Sequence, residues 1–186
     1  ALMRAGQVVG NATWVETAVD ALRWINEKQC SERMLFRPVG SDGFGQQHDF
    51  LPFDQQPLEA WSTIDACATA NEIAPMPEWG LHARSAMSWF YGRNDRGIAL
   101  ADIANGTCRD GITRQGVNEN RGAESILAFQ LGYYGYMRLA GFNGWDVAND
   151  ERNEHGVRNA IGHSRFETDR RPAAGSASPI SSQLAG

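Results

Sequence analysis

The fold is decided by the stretch Val117-Asn118-Glu119-Asn120-Arg121-Gly122-Ala123-Glu124-Ser125-Ile126-Leu127-Ala128-Phe129-Gln130-Leu131-Gly132-Tyr133-Tyr134. Polar side chains fill its first half, and an apolar pattern with helical spacing fills its second half. The pattern predicts Arg121 as the N-cap of a helix over 122–139. It places Glu124 at the third helical position, where a carboxylate meets exposed backbone N–H groups. Such a junction is typical of a site built at a helix start.

A second junction of this kind lies upstream, at Asp54-Gln55-Gln56-Pro57-Leu58-Glu59-Ala60. Setting Glu59 against Glu124 aligns Asp54 with Glu119, and an apolar helix follows in both copies. Pro at the first helical position and Glu at the third are ordinary helix-start signals, so two well-capped helices are the alternative interpretation. The repetition of carboxylates with flanking amides favours a shared site.

Apolar periodicity predicts four helices in all. The first is capped by Asn11 or Thr13 and runs to about residue 29, and the others cover about 57–72, 78–91 and 122–139. The middle two are expected to form an antiparallel hairpin. An extended piece over 34–39 leads into an irregular glycine-rich loop, and the long loops are expected to gather at one end. We therefore predict an all-α fold over residues 1–140 and a weakly structured to disordered tail over 141–186, in which a short helix near 156–161 fits the pattern.

Composition excludes several classes of function. The net charge of −5 argues against nucleic acid or an anionic membrane surface as partner, and no apolar run approaches the roughly 18 residues of a membrane span. Three cysteines without short spacing predict neither a disulfide framework nor a zinc site, and the four histidines lack a metal-ligand pattern. We expect no metal and no cofactor, and a cytoplasmic protein whose start at Ala1 lies inside a longer chain.

The polar side chains of the two junctions suit a neutral polyhydroxylated ligand. Carboxylates and amides bind vicinal hydroxyls through paired hydrogen bonds, and aromatic faces cover the apolar face of a pyranose. Sugar is therefore the expected ligand. Glycoside hydrolysis needs two carboxyl groups, one protonated as general acid and one acting as base. A turn at Asp110-Gly111 and a helix cap at Asp54 are the structural alternatives for two of the candidates.

Five segments resemble the ordered motifs of a bacterial helical-toroid family of the six-hairpin glycosidase-like type, whose members occur alone or linked to glycosyltransferases. They are Phe36-Arg37-Pro38-Val39-Gly40-Ser41, Phe53-Asp54-Gln55-Gln56-Pro57-Leu58-Glu59-Ala60, Trp89-Phe90-Tyr91-Gly92-Arg93-Asn94-Asp95, Asp110-Gly111-Ile112 and Val117-Asn118-Glu119-Asn120-Arg121-Gly122-Ala123-Glu124-Ser125. The resemblance covers about residues 8–140. It implies an α/α toroid of about six hairpins, of which this chain supplies about two. The chain is then the C-terminal part of a longer protein, or a truncated form with an open apolar face that needs a partner.

The chain departs from the family pattern at two positions. Arg121 stands where the family has Gln, and its cation beside Glu119 and Glu124 disfavours a raised carboxyl pKa there. Thr63 stands where the family usually has a Met-like residue. A nucleotide-sugar domain is not expected, because no Rossmann-like strand, loop and helix pattern is present in these 186 residues.

The leading hypothesis is a carbohydrate-active toroid domain that processes an oligosaccharide or polysaccharide, glycosidase-like or associated with a glycosyltransferase. The expected catalytic residues are Asp54, Glu59, Asp110 and Glu124, and the expected substrate-binding residues are Gln55, Gln56, Asn118, Glu119, Asn120 and Arg121. The alternative is a non-catalytic glycan-binding or scaffolding module for a partner glycosyltransferase. A sugar isomerase or epimerase ranks last, since it rests on fold analogy and needs a base such as His48 or His82.

Overall fold

The computed structural model describes residues 1–31, 33–40 and 53–140. In these ranges the chain is mostly helical. Five helices are present: α1 Leu2–Val9, α2 Ala12–Gln29, α3 Pro57–Ile73, α4 Pro77–Phe90 and α5 Ala123–Ala140. The bounds of α2, α3 and α4 follow the predicted ones to within a residue or two.

Local sequence signals explain where these helices begin. Asn11 precedes α2 and its side-chain oxygen accepts the Trp14 N–H at 3.2 Å, which confirms Asn11 as a cap. Pro57 and Pro77 occupy the first positions of α3 and α4, where a residue without an N–H costs nothing. The Glu59 carboxylate accepts the Gln56 N–H at 2.7 Å, and so satisfies one donor at the start of α3.

The core is formed by α3, α4 and α5. Gly132 of α5 lies against Ile64 of α3 and Phe90 of α4, and the absence of a side chain there permits the close approach of α5. Gly132 also contacts Trp61, whereas Gly135, farther along α5, contacts Asp65, farther along α3; these two helices therefore run parallel. Gly80, near the start of α4, faces Leu139 at the end of α5, so α4 runs antiparallel to both. The starts of α3 and α5 and the end of α4 therefore lie at one end of the core.

Helix α1 was not predicted. Its eight residues are fewer than a periodicity argument needs, and no side chain caps its start. Tertiary contacts hold it instead. It packs on α2, which follows after the left-handed Gly10, and Arg4 forms an ion pair with Glu72 of α3.

The all-α prediction is corrected by small strands in the segment between α4 and α5. Strand β1 (Ala101–Asp102) pairs with β2 (Thr107–Cys108), and β3 (Gly111–Ile112) pairs with β4 (Val117–Asn118), both antiparallel. Strands of two residues leave no alternating pattern in a sequence, so periodicity could not reveal them. Their effect is to fold a long connection into two compact hairpins.

Three expectations concern residues outside the described ranges. These are the glycine-rich loop beyond Gly40, the tail over 141–186 and the short helix near 156–161. Among the helices that the structure does describe, none combines the length and the apolar character that a membrane crossing requires.

Candidate functional site

A backbone bridge holds the two predicted junctions side by side. The Gln55 N–H donates to the Ile112 carbonyl at 2.9 Å, and the Ile112 N–H donates back to the Gln55 carbonyl at 2.8 Å. Ile112 in turn pairs with Val117 in the β3–β4 hairpin. Gly111 is required here, because its φ is 143° and a Cβ would lie 2.3 Å from the Gln55 carbonyl oxygen. The residues preceding α3 and those preceding α5 therefore form one surface.

A buried polar network supports this surface from below. The side-chain amide of Gln55 donates to Asp95 at 2.7 Å and its oxygen accepts the Trp89 indole N–H at 2.8 Å. Asp95, whose side chain is 1% exposed, also accepts from Arg37 Nε at 2.7 Å. These partners come from three separate segments of the chain, so sequence reasoning missed Arg37, Trp89 and Asp95. Gln55 was expected to bind substrate; its side chain is fully buried and positions the surface, and direct ligand contact stays a prediction.

Glu59 has the most perturbed carboxyl group of the junctions. Burial raises its pKa to about 7, with a smaller contribution from the nearby Asp54 carboxylate and against the opposing hydrogen bond from the Gln56 N–H. Asp54 and Gln56 are exposed beside it. A carboxyl group that keeps its proton near neutral pH can act as an acid, and a second carboxyl group beside it can act as a base. The structure thus brings Asp54 and Glu59 together.

Asp110 caps α5 from a distance along the chain. Its carboxylate accepts hydrogen bonds from the Ser125 side chain, from the Gly122 N–H at 2.7 Å and from the Asn120 side chain, and these lower its pKa. A carboxyl group with a lowered pKa is a poor proton donor. Asp110 is therefore suited to organise the start of α5 or to act as an ionised base.

Two predictions about the start of α5 are wrong. The helix begins at Ala123, so Gly122 and not Arg121 precedes it, and Glu124 is the second helical residue and not the third. The cause is Asp110, which satisfies the Gly122 N–H that a local cap would have served. Glu124 is exposed and has neither a hydrogen bond nor an ion pair within the described ranges. The starts of α3 and α5 are consequently less alike than their sequences indicate.

The remaining predicted residues lie on the exposed rim of the same surface. Arg109 Nε lies 2.8 Å from Glu119 Oε2, and Arg121 donates to the Thr107 hydroxyl. The Asn118 side chain accepts the Asn120 N–H at 3.1 Å. All four predicted residues, Asn118, Glu119, Asn120 and Arg121, are exposed and accessible to a ligand. Arg109 was not predicted, since nothing in its sequence context marks it.

A cysteine and histidine pair is the other reactive group in the described core. Cys30 Sγ lies 3.4 Å from His82 Nδ1. Burial raises the pKa of the Cys30 thiol and lowers the pKa of His82, so the uncharged pair is favoured over a thiolate and imidazolium. Cys30 is therefore not an activated nucleophile, and His82 is engaged in the packing of α2 on α4.

Comparisons with known proteins add no assignment: the chain matches no family model, no curated protein and no solved structure. Within residues 1–31, 33–40 and 53–140, no group of three or more His, Cys, Asp or Glu side chains is arranged to hold a metal ion. The geometry around Glu59, Asp110 and the rim residues is therefore what indicates a function.

Proposed function

We propose that the surface formed by the starts of α3 and α5 binds carbohydrate and processes glycan, with Glu59 as proton donor and Asp54 as the second carboxylate. The observation that carries the proposal is the Asp54 and Glu59 pair, in which one carboxyl is half-buried with a pKa of about 7 and the other is exposed. Glycosyl transfer and hydrolysis use such a pair to protonate the leaving oxygen and to assist the attacking group.

The surroundings of the pair support a polyhydroxylated ligand. Exposed amides, carboxylates and a guanidinium line the rim, and the β3–β4 hairpin holds them near α3. Hydroxyl groups both donate and accept, so they match a surface that mixes these side chains. The resemblance to six-hairpin toroid proteins agrees with this proposal, and the parallel α3 and α5 with antiparallel α4 are compatible with neighbouring hairpins of a toroid.

A non-catalytic glycan-binding or scaffolding role is the second candidate. It is favoured by one observation: Asp110 is occupied in capping α5, and Glu119 is paired with Arg109. Of the four expected catalytic carboxyl groups, Asp54 and Glu59 then remain as neighbours of each other, and Glu59 is the one whose pKa is raised. On this alternative the same surface would hold a glycan for a partner glycosyltransferase.

Substitution of Glu59 separates the two candidates. Glu59→Gln keeps an oxygen that accepts the Gln56 N–H but cannot transfer a proton. With a panel of manno-, gluco- and galacto-oligosaccharides, we expect binding to stay within a few-fold of wild type and turnover to fall about 100-fold or more. Binding is measured by the shift of the thermal midpoint, since a ligand of the folded state raises it.

Glu16→Gln, on the exposed surface of α2, is the matched control and is expected to leave turnover unchanged. Saturable binding with no turnover in wild type supports the scaffolding role. A protein that neither binds nor turns over any sugar of the panel contradicts the carbohydrate proposal altogether.

A further inference from the structure

An open depression of about 420 Å³ lies between the end of α4 and the loop that precedes α5. Its lining includes Tyr91, Leu100, Asp102, Ile103, Arg109 and Arg121. The volume falls within the roughly 300–1,000 Å³ of small-molecule sites. We call it the arginine depression. Arg109 and Arg121 connect it to the rim described above, since Arg109 pairs with Glu119 and Arg121 directly follows Asn120.

The floor of the arginine depression is apolar and firmly supported. Leu100 is 1% exposed, and the ring of Tyr91 packs edge-on against Phe129 with centroids 6.2 Å apart. Ile103 stands at the lip and is 70% exposed. An apolar side chain left this accessible, in the same lining as an aromatic ring, gives the C–H face of a sugar ring a surface to cover.

Arg121 supplies a cation at this site that has no ion-pair partner among the described residues. Its guanidinium donates to the Thr107 hydroxyl, and no carboxylate of the described residues lies within ion-pair distance of it. The Thr107 hydroxyl accepts a hydrogen bond from only one of the three guanidinium nitrogens. The planar group retains further N–H donors, in the fork geometry that matches carboxylate and phosphate oxygens.

Asp102 and Arg109 also line the depression, and each has partners of its own. The Arg121 cation acts on the Asp102 carboxylate and contributes to its lowered pKa, after the hydrogen bonds that Asp102 accepts. Asp102 accepts from the N–H groups of Ala104 and Asn105 and from the Asn105 side chain, all within its own turn. Arg109 is fixed by its 2.7 Å hydrogen bond to the Ala99 carbonyl and by Glu119, whose side chain is 70% exposed. Because the Glu119 side chain lies mostly in water, this ion pair contributes little, so an entering anion can share Arg109 with Glu119.

We propose that the arginine depression is a subsite for a sugar that carries an oxyanion, either a carboxylate or a phosphate. Arg121 binds the oxyanion, Arg109 assists it, and the sugar ring covers Tyr91 and Ile103. This inference rests on the proposed carbohydrate function and narrows its ligand to acidic saccharides. It assigns to Arg121 the selection of acidic over neutral saccharides, which a neutral side chain at that position could not perform.

Calorimetric titration of the whole chain tests the subsite with four probes: a neutral disaccharide, the matched disaccharide ending in glucuronate, glucose 6-phosphate and inorganic phosphate. We expect at least one acidic sugar to bind about tenfold or more tighter than the neutral disaccharide, with a preference that weakens as salt rises. Arg121→Gln removes this preference. Arg114→Gln, an equal change of charge at an exposed position of the β3–β4 hairpin, retains it.

The two acidic sugars distinguish a carboxylate from a phosphate ligand. Equal affinity for neutral and acidic sugars overturns the inference but leaves the proposed carbohydrate function standing. A preference that survives in Arg121→Gln, or inorganic phosphate binding as tightly as glucose 6-phosphate, also overturns it. Absence of binding by any sugar removes both the inference and the function on which it rests.

Discussion

At the scale of single residues, Glu59 is the carboxyl group of the described residues whose pKa is shifted most strongly. Burial raises its pKa to about 7, so both protonation states are populated near neutral pH. The hydrogen bond from the Gln56 N–H favours the ionised form, but it does not reverse the effect of burial. The raised pKa that makes Glu59 a candidate acid also makes its protonation state change with pH near neutrality.

The stability of the protein should therefore depend on pH through Glu59. Because the folded-state pKa is raised above the ordinary value of 4.5, the stabilisation from proton binding is fully present below pH 4.5 and is lost as pH rises through about 7. Glu59→Gln cannot ionise. We expect its free energy of unfolding, relative to wild type, to rise across this window by up to about 3 kcal/mol.

Urea unfolding of both proteins at about pH 4, 6 and 8 measures this difference. Glu16→Gln removes an exposed carboxyl from α2 and serves as the charge-matched control. Indistinguishable pH profiles for the two variants would show that Glu59 titrates like a surface carboxyl and would remove it as the proton donor.

At the scale of elements, α5 depends on a side chain that is not adjacent to it. Asp110 satisfies the Gly122 N–H and the Ser125 hydroxyl from the end of the β1–β2 hairpin. This arrangement couples the loop to the helix, because neither is fully hydrogen-bonded without the other. It also explains why Glu124, the nearest acidic residue in α5, makes no cap.

Asp110→Ala should destabilise the protein by about 1 to 2 kcal/mol, the usual effect of losing a helix cap. Asp110→Asn keeps an oxygen for the Gly122 N–H and should cost less. Since the folded-state pKa of Asp110 is lowered below 3.8, its stabilisation is present above that pH and is lost as the pH falls through the folded value. Thermal unfolding of both variants at neutral and acid pH measures this. Equal stability of wild type and Asp110→Ala at neutral pH would contradict the capping role.

Helix starts show how far local sequence can predict this fold. Asn11 and Pro57 act on the residues that immediately follow them, so their signals were sufficient to place α2 and α3. The start of α5 was misplaced by one residue because its cap lies 12 positions upstream. The same limit applies to α1, whose helix is held by contacts with α2 and α3 that its own eight residues do not encode.

At the scale of the whole molecule, Asp95 connects the parts that carry the candidate site. It joins Arg37, which follows α2, to Gln55, which precedes α3, while Gln55 also accepts from Trp89 of α4. A buried carboxylate is tolerated only with such partners. Sequence alone placed Gln55 in the site but could not show that it is buried, since its partners lie at least 34 residues away along the chain.

Asp95→Asn should be destabilising by about 1.5 to 3 kcal/mol, because it removes the charge-assisted hydrogen bond that Asp95 accepts from the partly exposed Arg37 guanidinium. Asp20→Asn changes a carboxylate on α2 that is 77% exposed and should alter the free energy of unfolding by less than about 0.5 kcal/mol. Chemical denaturation of the two variants compares them directly. A small effect at Asp95 would mean that water or a rearranged neighbour replaces the network.

The paired backbone hydrogen bonds between Gln55 and Ile112 have a consequence for how the protein can be observed in solution. Both amide protons point into a closed ring, so they exchange with solvent only when the segment before α3 separates from the hairpin before α5. Where this opening needs less free energy than global unfolding, their exchange rates report the opening of the site itself. A bound sugar that spans both segments should slow these two amides more than the amides inside α2.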